Sequence, residues 1–140
     1  MSTKNPDVVP MIAYENDSEA MDWLCKAFGF TERTKMLDEK GRLLHGEVSV
    51  GHSIIMLASP TDEYQSPKHH RQVCQIMDGW YKVPYVINGT LVYVDDIQAH
   101  YKKAKDCGAT ILSEIETGGP GNRYRAEDLE GHRWMFIERQ

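Results

Sequence analysis

At 140 residues, 41% hydrophobic and 26% charged, the chain has the make-up of one globular domain large enough to bury a core, and not that of a disordered segment. A formal net charge of −5 argues against nucleic acid as the main partner, and no apolar run approaches the ~20 residues that cross a bilayer. The start, Met1–Asp7, is short and polar, without the hydrophobic stretch of a signal peptide, and the three cysteines (Cys25, Cys74, Cys107) are odd in number and far apart, so a reducing cytoplasm is expected in place of a disulfide framework.

Val8–Tyr14 is apolar and β-branched at its start and is predicted to be a strand. Asn16, Asp17 and Ser18 then offer N-cap oxygens for a helix from about Glu19 to Phe28, whose apolar residues Ala20, Met21, Leu24, Ala27 and Phe28 recur at helical spacing. Gly29 stands where a left-handed C-cap belongs, and Cys25 is expected to pack as a small hydrophobe. Thr31–Leu37 follows as a strand and Asp38–Gly41 as a turn. Leu43–Val50 alternates, which places Leu44, Gly46, Val48 and Val50 on one face and His45, Glu47 and Ser49 on the other. Gly51-His52 turns the chain into Ser53–Ala58, completing a βαβββ unit over residues 8–59.

Residues 60–88 are too long for a simple connection and are predicted to carry an element of their own. His69–Trp80 is compatible with a short helix between Pro67 and Gly79, and Trp80, Tyr81, Pro84 and Tyr85 make the crossover rich in aromatics, fit to cover an edge or to wall a pocket. The second unit, residues 89–139, repeats the plan: a strand at Thr90–Val94, a helix capped by Asp95-Asp96 that runs to about Asp106 and stops at Gly108, and strands at Thr110–Ile115, Arg123–Glu127 and Arg133–Glu138. The repetition is visible residue by residue. Gly41, Glu47, Gly51 and His52 are answered by Gly121, Glu127, Gly131 and His132, each pair eighty residues apart. Two copies of one supersecondary unit follow, neither able to bury its apolar face alone.

The polar strand faces hold the candidate site. His45 and Glu47 are two residues apart on one face, roughly 7 Å along the strand. They could orient a ligand, act as an acid–base pair, supply two ligands of a metal site, or simply meet water. Arg123 and Arg125 suit an anionic or carboxylate ligand, the alternative being ion pairs with Glu47 or Glu127. His52 and His132 follow turn glycines and are assigned to hairpin structure, Trp134 and Phe136 to the core, and His69-His70-Arg71 to the surface. No P-loop, nucleophile elbow, Cys-x-x-Cys or dinucleotide fingerprint is present.

With the segments NDSEAMDWLCKAFGF, VDDIQAHYKKAKDCGA and EDLEGHRWMFIE, the chain resembles the vicinal oxygen chelate superfamily from about Val8 to Glu138, the group of glyoxalase I, bleomycin-resistance proteins and extradiol dioxygenases. The resemblance implies an α+β fold of tandem βαβββ modules whose mixed sheets curve into a cup, in a single domain and commonly a homodimer. It also implies where a divalent ion would be held, and this sequence has Val9, Ile55 (or Met56), Gly89 and Met135 there, none a ligand for a hard or borderline cation. The expectation is therefore a cytoplasmic protein without cofactor that binds a small organic molecule, as bleomycin-binding proteins do, in a pocket drawn from His45, Glu47, Trp80, Tyr93, Arg123, Arg125 and Met135. The alternatives are a metal-dependent lyase or isomerase of glyoxalase type, or a dioxygenase, with His45 and Glu47 as candidate catalytic residues, and an interaction module with no small ligand. Neither a nucleic acid nor a membrane partner is expected.

Overall fold

The computed structural model describes residues 6–84 and 87–140, so Tyr85 of the crossover lies outside the described residues. The chain divides after Tyr64 into two compact units. In the first, β1 (Met11–Ala13), α1 (Asp17–Phe28), β2 (Thr31–Leu37), β3 (Leu43–Val50) and β4 (Ser53–Ala58) follow in sequence, and the sheet order is β1-β4-β3-β2. The second contains α2 (Pro67–Val73), α3 (Gln75–Tyr81), β5 (Gly89–Val94), α4 (Ile97–Asp106), β6 (Thr110–Glu116), β7 (Arg123–Glu127) and β8 (Arg133–Glu138), with sheet order β5-β8-β7-β6. Each sheet is mixed: its first strand runs parallel to its last, and the remaining pairs are antiparallel. This is the α+β fold of repeated βαβββ modules. No described helix is long and apolar enough to cross a membrane.

Local chemistry explains most element ends. The Asn16 side chain accepts from the Glu19 backbone N–H while its amide donates to the Glu19 carboxylate at 2.7 Å, a reciprocal cap that starts α1. Gly29 ends that helix at φ 76°, where a Cβ would be strained. Asp96 caps α4 in the same way, accepting from the Ala99 N–H at 3.1 Å. β1 is shorter than the predicted Val8–Tyr14. Pro10 has no N–H to give, so its carbonyl accepts from Met56 and regular pairing begins only at Met11.

Each helix covers one sheet face. α1 buries Ala20, Met21, Leu24, Ala27 and Phe28, and Val48, Ile55 and Leu57 are buried from the sheet of the same unit. Gly46 makes the approach of helix and sheet close, because a Cβ there would lie 2.8 Å from Met21 Cε and 2.6 Å from Leu43 Cδ1. Simple alternation puts Leu44 on that buried face, and the structure corrects this: Leu44 is 68% exposed and Leu43 is buried. The register explains the swap, since Leu37 faces Leu43 while Met36 faces His45, so Leu44 is the extra residue of a bulge that reverses the alternation. In the second unit Tyr124, Ala126, Trp134 and Phe136 are buried, with the His100 ring of α4 4.2 Å from Phe136 and its Nδ1 2.6 Å from the Tyr124 hydroxyl.

The repeated turn sequence does not fold as the offset of eighty suggests. Gly51-His52 is a two-residue hairpin between the paired Val50 and Ser53, whereas Gly131-His132 ends a five-residue loop between the paired Glu127 and Arg133. The structural twin of that loop is Asp38–Arg42. In both, the aspartate carboxylate accepts from the N–H groups two and four residues on, and the backbone N–H of the aspartate donates to the carbonyl of the fifth residue. Asp38 is held below its ordinary carboxylate range by the Arg42 backbone N–H. Asp128 is buried and accepts in addition from Trp134 Nε1 at 3.0 Å, which ties the loop to the core.

The twin loops provide an internal control. Gly41 (φ 82°) has nothing within 4 Å of a built Cβ, while at Gly131 (φ 90°) a Cβ would fall 2.7 Å from Lys68 N and 2.9 Å from Lys68 Cβ. Gly41→Ala should therefore cost about 1 kcal/mol of left-handed strain alone. Gly131→Ala should cost about 1–3 kcal/mol more from overpacking against the start of α2. Urea denaturation of the two variants measures the difference, and equal losses would contradict the contact.

Candidate functional site

The second unit contains a pocket of about 190 Å³ lined by Arg125, Arg133, Trp134 and Met135 of β7 and β8, Gly89, Thr90 and Leu91 of β5, and Pro84 and Ile87 of the crossover. Sheet register explains the gathering. Leu91 pairs with Met135 and Met135 with Arg125, while Gly89 pairs with Arg133 and Arg133 with Glu127, so two adjacent rows present their side chains on the face away from α4.

A buried ion cluster fixes one wall of this pocket. Glu127, with a side chain only 2% exposed, accepts on one carboxylate oxygen from Arg71 Nη1 at 2.9 Å and from Arg133 Nε at 3.2 Å. Arg133 spends its remaining nitrogens on the end of the crossover, donating to Val83 O at 2.6 Å and to Tyr81 O. Both guanidiniums also lie over the Tyr81 ring, 5.0 and 4.6 Å from its centroid, a cation–π arrangement on both counts. Burial pushes the Tyr81 hydroxyl above its ordinary range, so the ring between them stays neutral.

This cluster corrects two expectations. Arg71 is not a surface residue, and the predicted single helix over His69–Trp80 is two helices that meet at Cys74, whose backbone is extended (φ −133°, ψ 109°). One straight helix would separate Arg71 and Tyr81 by about 15 Å along its axis. The break at Cys74 brings the Arg71 guanidinium onto the Tyr81 ring. Ser66 caps the first helix with Pro67 in its first turn, as the residue chemistry favours.

The sequence-predicted residues fall into three groups. Arg125 and Met135 line the pocket. Arg123 instead binds the preceding loop, donating to Gly118 O at 2.9 Å and Gly121 O at 3.1 Å and pairing with Glu116 at 3.2 Å, whereas Glu127 pairs with Arg71 and Arg133. Trp80 (51% exposed) and Tyr93 (55% exposed) are outside the lining, with Tyr93 one step along the Leu91 face and the neighbouring Tyr81 the buried aromatic of the crossover. His45 and Glu47 belong to the first unit, where they form a cluster of their own. Glu47 accepts from Arg33 Nη1 at 3.0 Å and Thr34 Oγ1 at 3.3 Å, and its other oxygen is 3.1 Å from His45 Nε2.

Register also reassigns the counterparts between units. Met11 and Leu91 each stand five residues before a helix cap, and their rows read Met11–Met56–Glu47–Thr34 and Leu91–Met135–Arg125–Ser113. The counterpart of Met135 is thus Met56, which shares the Glu47 face. Ile55 pairs with Val48 and is buried on the opposite face, beside α1. Val9 precedes β1. The positions nearest the helix-capped strands therefore hold thioethers and hydrocarbon, and among the described residues no three His, Cys, Asp or Glu side chains group closely enough to hold a metal ion. Sequence reasoning missed Arg133, although it shares the parity of Met135. It marked Tyr81 only as one of the crossover aromatics and assigned Arg71 to the surface, and the pairing of the two was not foreseen.

Glu127→Gln should destabilise the protein by about 3 kcal/mol, because it leaves the buried Arg133 guanidinium, and the half-buried Arg71 beside it, facing a neutral amide. Glu47→Gln, in a partly exposed cluster, should cost about 1 kcal/mol or less. Chemical denaturation compares the two directly.

Comparison with known proteins agrees with this architecture. The chain is 26% identical over 136 residues to an uncharacterised protein of Mycobacterium bovis, covering 94% of this chain and 82% of the other. Among solved structures it resembles TioX from a Micromonospora species (TM-score 0.69, 24% identity, 96% of this chain and 97% of that one). It also resembles TnmS3, an antibiotic binding protein from a Streptomyces species (TM-score 0.60, 14% identity, 96% and 98% covered). At these identities the two structures show the shared fold. The family model of the Glyoxalase/Bleomycin resistance protein/Dioxygenase superfamily matches residues 9–136, and with two βαβββ units in the matching order the chain belongs to that superfamily.

Proposed function

We propose that this protein binds a small organic molecule in the pocket of its second unit, without a metal ion, and that sequestering such a molecule is its role. The observation that carries the reading is the lining itself: Leu91, Met135, Pro84 and Ile87 beside Arg125 and Arg133, shaped as a concavity with Arg133 tied down by Glu127. Ligand sites are commonly apolar clefts with a few placed polar groups. A dry cavity of about 150 Å³ takes one benzene, so a pocket of about 190 Å³ takes one substituted or fused aromatic fragment of a ligand. TnmS3, a structural relative, is an antibiotic binding protein, which supports a ligand of drug type. The parallel strand pair of each unit offers Met11 with Met56 and Leu91 with Met135, where a hard divalent ion would need oxygen or imidazole, which supports binding without metal. Apolar residues left exposed on both sheets (Met11, Leu91, Tyr93) support a homodimer, which sedimentation equilibrium tests.

A second reading rests on the His45–Glu47 couple. Glu47 is oriented by Arg33 and Thr34 and sits 3.1 Å from the imidazole, a geometry that would stabilise a protonated His45 after it accepts a proton. It would make the protein an enzyme acting at the first unit.

Calorimetric titration of protein purified without added metal separates these readings, using bleomycin and a panel of aromatic acids and amides. Binding of at least one compound is expected, weakened about tenfold or more by Leu91→Trp, which fills the pocket, and unchanged by His45→Ala. No binding across the panel, or binding that appears only after Ni²⁺, Zn²⁺, Fe²⁺ or Mn²⁺ is added, would overturn the proposal. Turnover lost in His45→Ala would favour the enzyme.

A further inference from the structure

The pocket of the second unit is small for the role proposed for it. Sites that enclose a drug-sized molecule measure about 300–1,000 Å³, and this one measures about 190 Å³. A larger ligand needs one wall to give way, and the walls differ in what their displacement breaks. Gly89, Leu91, Arg125 and Met135 belong to paired strands, so moving any of them opens the β5-β8-β7 ladder. Pro84 and Ile87 follow α3, which is held in another way.

Little fixes α3. Of its seven residues only Tyr81 is buried, while Ile76 and Trp80 are exposed. It starts at Cys74 without a side-chain cap, at a point where the backbone is extended, and it contains Gly79. A helix this short does not persist in water without packing, and segments with few buried apolar contacts open at low free energy. Its far end is docked by the Tyr81 ring against Arg71 and Arg133, and by the Tyr81 and Val83 carbonyls, which accept from Arg133.

The preceding helix is anchored separately. Ser66, buried, caps α2, and the Lys68 N–H donates to Glu130 O at 2.9 Å. Releasing α3 at Cys74 therefore leaves Glu127 paired with both Arg71 and Arg133, so no buried charge is orphaned. Water can replace the two carbonyls that Arg133 gives up. Among the walls, the crossover side is thus the one whose displacement costs least.

We propose that α3 is a movable wall: it undocks about Cys74 and melts, carrying Pro84 and Ile87 outward, so that the pocket enlarges to take polycyclic ligands of drug size. This rests on the small-molecule-binding reading above and adds the size of ligand that the same site takes.

The test joins amide hydrogen exchange of the intact protein, read by NMR, with calorimetric titration of 2-naphthamide and pyrene-1-carboxamide. In the free protein the amides of Gln75–Tyr81 should exchange about tenfold faster or more than those of β7 and β8, corrected for intrinsic rates, through an opening insensitive to low urea. Tyr81→Ala should speed them a further fivefold or so, about what a lost cation–π contact is worth, with the strands unchanged. Pyrene-1-carboxamide should bind about threefold tighter or more than 2-naphthamide, because it buries more apolar surface. Its binding should also speed exchange in Gln75–Tyr81, while 2-naphthamide leaves that exchange as it was. Amides of α3 that exchange as slowly as the strands, or a pyrene amide that binds more weakly than the naphthamide, would overturn the movable wall and leave small-molecule binding standing. Pyrene binding with unchanged α3 exchange would place the enlargement elsewhere and also overturn it. If neither compound nor any member of the earlier panel binds, both readings fall together. Thermal melting shows whether Tyr81→Ala is folded, and the measurements on the unchanged protein decide without it.

Discussion

The buried carboxylate of Glu127 and the two arginines that share it are the constraint on which the second unit depends. Burying the Glu127 carboxylate and the Arg133 guanidinium costs several kcal/mol per ion unless geometry returns it, so the cluster tolerates few alternative arrangements. Arg71 can meet both Glu127 and the Tyr81 ring only if the crossover helix breaks, and the remaining nitrogens of Arg133 are satisfied only if Tyr81 and Val83 turn their carbonyls inward. Those two demands set the path of the chain into Pro84 and Ile87, and so set one wall of the pocket. The pocket's shape is in this sense a consequence of an ion cluster that itself enters the lining only through Arg133.

The two units share a topology and differ where chemistry matters. Both begin with a parallel strand and a capped helix and close with an antiparallel three-strand ladder. Yet the counterpart of Arg125 in the first unit is Glu47, bound to Arg33 and His45, and the aspartate-nucleated loop that ends β7 in one unit ends β2 in the other. A repeated scaffold thus carries an ion-paired glutamate in one copy and, at the counterpart position in the other, an arginine that lines a pocket. Function in such a fold lives in the side chains set on it and not in the topology.

Helices, turns and strands were legible in the sequence because they rest on interactions between residues two to five apart. Asn16 and Asp96 mark helix starts, Gly29 marks an end, and the Asp-x-x-Gly loops carry their own hydrogen bonds. The repeat established two similar units, and the assignment of Trp134 and Phe136 to the core held for the same reason of parity. The shared face of Arg125 and Met135 was legible because no bulge interrupts the pairing of β7 with β8.

Only the tertiary structure decided register, the crossover and the pairing of charges. A single extra residue at Leu44 reverses the inside and outside of a strand, and a two-residue hairpin in place of a five-residue loop makes Met56, not Ile55, the neighbour of Glu47. Composition leaves such shifts invisible, since the sequence offset of eighty is preserved across them. Arg123 binds loop carbonyls and is absent from the pocket lining, and Arg71 binds a glutamate fifty-six residues away, because the fold brought those partners within hydrogen-bond range. Local sequence determined the elements and their caps through contacts within a few residues. The site was decided by contacts between residues far apart in the chain, whose energies exist only once the sheet register and the crossover path are set.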